Sequence, residues 1–209
     1  MAKVLKRLED CFVSEEERKQ FLFLRSETED DKLIRRIKQE AFENQTKYRC
    51  CTQNVVYALQ RHLEIGNKDL FKSMSALSGG IIGKGTHICG SLVGGLAIIG
   101  LVFGRADFLE PGSPREGGPS NFTRTRELGD ELYQQFEKEY RSTICQEIQK
   151  RHFGWCPYPV DHSDPVHEQL YKSGEIFDIL STYCSKVVMV TAEMTARIVL
   201  REWHKEKAS

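Results

Sequence analysis

The sequence predicts an all-α protein, a compact multi-helix bundle around a central glycine-rich apolar helix. Three observations lead there. Apolar residues recur at helical spacing along most of the chain, and no segment alternates as a half-buried strand would. The third is an uncharged run, Ile88 to Gly104, which is mostly apolar and carries Gly90-x-x-x-Gly94, a spacing that lets helices approach closely. The run is at the short end for a membrane span and the rest of the chain is charged, so it reads as the middle of a bundle.

The elements follow in order. Residues 1–30 read as a charged helical extension, with Ser14 and Glu17 spaced as a capping box. Residues 31–209 form the main helical domain. Leu33, Ile34, Ile37 and Ala41 begin a stripe that Cys51, Val55, Ala58, Leu59 and His62 resume, which predicts one long or kinked helix from Asp30 to about His62. Gly66-Asn67 ends it, and Asp69 to Ser78 is a shorter helix. The run Gly79-Gly80-Ile81-Ile82-Gly83-Lys84-Gly85 leads into the apolar helix, which starts near Cys89. Three prolines and three glycines make 105–121 a loop. Leu128, Leu132, Phe136 and Tyr140 mark an amphipathic helix from Thr123 to about His152. After an irregular stretch from Gly154 to Pro165, a last helix runs from about Pro165 or Ser173 to Lys205, with Ile176, Leu180, Cys184, Val187, Val188, Thr191, Met194 and Ile198 on one face.

Composition narrows the function. Lys plus Arg and Asp plus Glu number 30 each, a formal charge of zero, which removes the bulk electrostatic case for nucleic acid or an anionic membrane. Met1 to Arg7 has no continuous apolar core of a secretory signal, so the seven cysteines are expected in a reducing, cytoplasmic setting rather than in disulfides. Thiols there serve as apolar filler, as metal or cluster ligands, or as reversible redox groups.

Cys89 is the most telling of them. A thiol in the first turn of a helix feels the positive end of the dipole and nearby amides, which predicts a lowered pKa. Gly90 and Gly94 leave the backbone open, one turn apart, to a partner helix or a bulky cofactor. Cys145 ends the charged amphipathic helix. Cys156 lies in a loop between Trp155 and Pro157, which makes it harder to dismiss as core than Cys184, mid-face on an apolar helix. Cys51 is helical, and Cys11 and Cys50 look incidental. No Cys-x-x-Cys or Cys-x-x-Cys-His occurs, so spacing alone supplies no zinc ribbon, ferredoxin signature or covalent haem site.

Taken in order, Cys51-Thr52-Gln53, Gly85-x-x-x-Cys89-Gly90-x-x-x-Gly94-Gly95, Ser142-x-x-Cys145, Cys156 and Cys184 resemble the C-GCAxxG-C-C family of small redox-active proteins over roughly residues 45–200. The resemblance extends to the helical domain of split-Soret cytochromes, whose haem segment this chain lacks. Ser91 stands where the family's CGAxxG motif has alanine, which keeps the packing and adds a hydroxyl. The resemblance implies a ligand set of Cys51, Cys89, Cys145, Cys156 and Cys184 converging in space, an iron–sulfur cluster held by four of them, an unidentified redox partner protein, and a homodimer. Two other readings stay open. In one, Cys89 attacks as a metal-free thiol and Cys145 or Cys156 resolves it; in the other, the cysteines only pack a helical interaction module.

Remaining candidates carry less. His87 lies two residues before Cys89 and reads as a polar, solvent-facing residue. His152, His162 and His167, with Asp161 and Asp164 around the Cys156 loop, match no closed metal site. The Gly79–Gly85 run lacks the Gly-Lys-Ser/Thr ending of a phosphate loop, so neither a nucleotide nor haem is expected.

Overall fold

A computed structural model describes residues 28–106, 121–157 and 159–208. The expected capping box at Ser14 and nearly all of the 105–121 loop lie outside them. The chain divides into two compact units, Met1–Leu33 and Ile34–Ser209, and the described part of the first is Thr28 and the opening of a helix. There Thr28 Oγ1 accepts from the Asp31 amide and Asp31 Oδ2 accepts from the Thr28 amide, a reciprocal cap at the start of α1 (Glu29–Tyr48).

Described residues are all-α, with no strand among them beyond one isolated bridge. The expected helix from Asp30 to His62 is two. Arg49 and Cys50 take the left-handed conformation, φ 60° and 64°, and α2 (Cys51–Leu63) starts afresh after them. Buried Asn54 holds this break: its Nδ2 donates to Gln45 Oε1 at 2.8 Å and to the Arg49 carbonyl. Asn67 caps α3 (Lys68–Ser73) through its side chain, and a 3-10 turn over Met74–Leu77 follows.

Then comes the central helix, α4 (Gly90–Phe103), with Cys89 as its N-cap. Leu92, Ile98, Ile99 and Phe103 are buried along it, each worth roughly 1.5–3 kcal/mol when taken from water. It packs against α2, against α5 (Asn121–Tyr140), and against the long last helix α8 (Glu175–Ala208). Its glycines make this possible. A Cβ on Gly94 would lie 2.7 Å from the Thr52 carbonyl oxygen on α2, and one on Gly95 would lie 2.6 Å from Thr195 Oγ1 on α8 and 2.8 Å from Leu132 Cδ2 on α5.

The expected helix from Thr123 to His152 is also broken. It stops at Tyr140, Arg141 turns left-handed at φ 57°, and α6 (Cys145–Phe153) begins anew. Ser142 shapes that turn, accepting from the Ile144 amide and donating to Glu147 Oε2. Asp164 caps α7 (Pro165–Ser173), whose first residue is proline, and Gly174 at φ 83° separates it from α8. No helix among the described residues is long and apolar enough to cross a membrane.

Candidate functional site

The two breaks decide the chemistry, because each puts a cysteine at a helix start. Cys51 is the first residue of α2, Cys89 caps α4, and Cys145 is the first residue of α6. Three positive dipole ends therefore carry thiols. The approaches to α4 and α6 are laced together by an antiparallel bridge between Ile88 and Ile144. Within it the Cys89 amide donates to the Thr143 carbonyl at 2.7 Å and the Cys145 amide donates to the His87 carbonyl at 3.0 Å. Main-chain bonds thus set these two cysteines diagonally across one bridge, Cys89 opposite Thr143 and Cys145 opposite His87.

The glycine run brings in Cys51. Gly79, Gly80, Ile81, Ile82 and Gly83 all have positive φ, between 44° and 71°, a left-handed turn closed by the Gly83 amide on the Ser78 carbonyl and the Gly85 amide on the Gly79 carbonyl. Such a turn costs an ordinary residue roughly 1–2 kcal/mol, which is why three of the five are glycine. It presses against Cys145, since a Cβ on Gly80 would meet Cys145 Cβ at 2.9 Å, and it turns the Gly79 amide toward the Cys51 sulfur. On the other side of that sulfur stands Gly90, where a Cβ would come within 2.6 Å of Cys51 Sγ.

Cys184, from mid-α8, completes the wall. Cys51, Cys89, Cys145 and Cys184 line one cavity of about 470 Å³, together with Cys50, Arg49, Gln149, Tyr183 and Ser181. Among the described residues Arg49 is the one charged group lining it, with no Asp, Glu, Lys or His.

Burial dominates the electrostatics. It pushes the Cys51 thiol up to about 12, with Cys89 adding to the shift and the Gly79 and Thr52 amides opposing it. Cys145 and Cys184 are raised by burial and then by the other cavity thiols. Cys89 is raised too, against the expectation from its helix position. Taking the thiol out of water outweighs the Ser91 hydroxyl, 3.0 Å from its sulfur, and the Ser91 and Leu92 amides. Tyr183, beside Cys184 and Cys89, is pushed up to about 12 for the same reason. The six cysteines of the described residues are all free thiols, and no three His, Cys, Asp or Glu side chains among those residues group as a site for a single metal ion.

The chain matches a family model described as "Putative redox-active protein (C_GCAxxG_C_C)" over residues 49–198. The chain belongs to this family. No curated protein and no solved structure matches it.

Within the C_GCAxxG_C_C chain, the structure brings four of the five expected ligand cysteines to the cavity. Cys156 is one step removed, in reach of Gln149 Oε1 at 3.8 Å. Gly90 and Gly94 face α2, so a partner helix fills the space that they open. His87 is exposed and contributes only its carbonyl. Around Cys156, His167 Nδ1 accepts from the Asp161 amide, Asp164 caps α7, His162 pairs with Glu168, and His152 stacks on Tyr183 with ring centroids 3.5 Å apart.

Several site residues escaped the sequence reading, Arg49 among them. Cys50 lines the cavity rather than being incidental, for its left-handed backbone is what lets α2 restart. Gln149, 3% exposed, donates its Nε2 to Cys145 Sγ at 3.3 Å. Tyr183 carried no signal apart from being next to Cys184.

Proposed function

We propose that the cavity holds an iron–sulfur cluster, with Cys51, Cys89, Cys145 and Cys184 as its thiolate ligands, in a cytoplasmic electron-transfer protein. The observation that carries this is the arrival of four thiols from four helices at one cavity. When bound, such a cluster supplies reversible one-electron chemistry.

The donor set fits. Four thiolates at one cavity would repel one another, as the raising of Cys145 by Cys89 and Cys51 and of Cys184 by Cys51, Cys145 and Cys89 expresses, so their ionised form requires compensating positive charge. Arg49 at the wall is too little for four. Three helix starts and the amides of Gly79, Thr52, Ser91 and Leu92 favour negative charge at the sulfurs, and amides facing sulfur are a recognised control of cluster potential. A tetrahedral zinc ion with Zn–S near 2.3 Å would need its sulfurs about 3.8 Å apart. A cluster distributes its ligands over several irons, so four thiols lining one cavity need not meet at a single point. The metal-free dithiol reading needs an acidic attacking thiol, and the direction of the Cys89 shift weighs against it.

The test is anaerobic purification followed by iron, acid-labile sulfide and visible-absorbance analysis. Iron and sulfide in comparable amounts, with charge-transfer absorption bleached by dithionite, is the expected result. Colourless protein that stays iron-free after anaerobic reconstitution with ferrous iron and sulfide contradicts the proposal.

A further inference from the structure

We infer that Ser91 and Gln149 are positioning residues for the thiol centre, each donating a hydrogen bond to one sulfur and so setting how readily the centre accepts an electron. The electrochemical part of this rests on the cluster reading above; the hydrogen bonds do not.

Ser91 Oγ lies 3.0 Å from Cys89 Sγ. Either atom can donate while the thiol keeps its proton, but a ligated or ionised sulfur has none, which leaves the hydroxyl as donor. Gln149 Nε2 donates to Cys145 Sγ at 3.3 Å. At the other end of the amide, Gln149 Oε1 accepts from the Cys156 S–H at 3.8 Å, which complements Nε2 facing Cys145. That gives Cys156 a place outside the ligand set, beside Gln149.

Both donors line the cavity and are almost wholly buried, Ser91 at 0% and Gln149 at 3% exposure, so their bonds act with little solvent screening. Ser91 is wholly enclosed, and its hydroxyl is spent on the sulfur beside it. One-electron reduction adds one negative charge to the centre. Donors on its sulfurs stabilise that charge, and removing them makes the potential more negative.

The variants are Ser91→Ala and Gln149→Leu, alone and together, with thermal melts confirming a folded chain. In the iron-loaded protein, an anaerobic dithionite titration should give a more negative midpoint for each single variant and a further shift for the double, at unchanged iron content. In the metal-free protein, iodoacetamide labelling at fixed pH, read by peptide mass spectrometry, should slow at Cys89 about tenfold in Ser91→Ala with Cys145 unaffected, and the reverse in Gln149→Leu. A purely structural role moves labelling the other way, since a loosened cavity exposes its thiols and speeds the reaction. Unchanged or less negative midpoints, or labelling that is unchanged or faster, overturn the inference. If the wild type takes up no iron, the cluster reading fails and the labelling arm alone decides this one.

Discussion

At Gly90 a single missing side chain lets two helices and a thiol share one place. A Cβ there would lie 2.6 Å from Cys51 Sγ, 2.6 Å from Thr52 Oγ1 and 3.0 Å from Ser78 Cα, the last being backbone that cannot swing aside. Gly90→Ala should therefore destabilise the protein by about 1–3 kcal/mol, seen as a lower denaturant midpoint. If the glycine instead opened space for a cofactor, alanine would leave the midpoint alone and lower only iron uptake. Cys51 itself gives a pH prediction. Its folded-state pKa of about 12 lies above the ordinary thiol value of 9.0, so the neutral form is favoured in the fold. The stability that this contributes is complete below pH 9 and is lost as pH rises toward 12, because the unfolded chain then binds fewer protons than the folded one. Metal-free protein should show this alkaline loss in urea titrations, and Cys51→Ser should lessen it; equal slopes would contradict it. The cysteines themselves were legible as a set. Their acidity was not, because a helix start predicts a lowered pKa and only the packed structure reveals how thoroughly water is removed.

Helices account for what the sequence concealed. The central helix was readable from its uncharged glycine-rich run and begins where expected. The breaks before Cys51 and Cys145 were not, because Arg49, Cys50 and Arg141 carry none of the glycine or proline that normally announces a left-handed residue. What fixes them is tertiary or short-range polar bonding, Asn54 on the Arg49 carbonyl and Ser142 on the Ile144 amide, invisible to an apolar-spacing argument that runs smoothly across both breaks. Where α5 meets α8, Arg201 grips both carboxylate oxygens of Glu131, at 2.6 and 2.7 Å. That bond chiefly holds the Glu131 carboxyl below its ordinary value of 4.5, despite an opposing effect of burial. A depressed carboxyl contributes stability above its unfolded value and loses it as pH falls through the folded one. Glu131→Gln should cost at most about 1 kcal/mol at pH 7, given how exposed the pair is, and should flatten the acid limb of a stability–pH curve below about 4.5. An acid limb as steep as wild type would show that the pair contributes nothing to it.

At the scale of the whole molecule, the bundle works as a device for convergence. Cys51 and Cys184 are 133 positions apart in the chain, yet α2, α4, α6 and α8 deliver four thiols to one cavity, three of them at helix starts. No spacing rule could have found that cavity, since no two of its four main thiols are close in sequence. Their order along the chain and the family likeness pointed to convergence, and packing around a glycine-rich axis explains how it is reached. The central claim is that these four, and not the neighbouring Cys50 and Cys156, hold the cluster. Iron stoichiometry across six Cys→Ser variants, purified and reconstituted anaerobically side by side, tests it most directly. Substitution at Cys51, Cys89, Cys145 or Cys184 should abolish or sharply lower bound iron, while substitution at Cys50 or Cys156 should leave it near the wild-type level. Wild-type iron in the Cys184→Ser or Cys145→Ser protein would contradict the account.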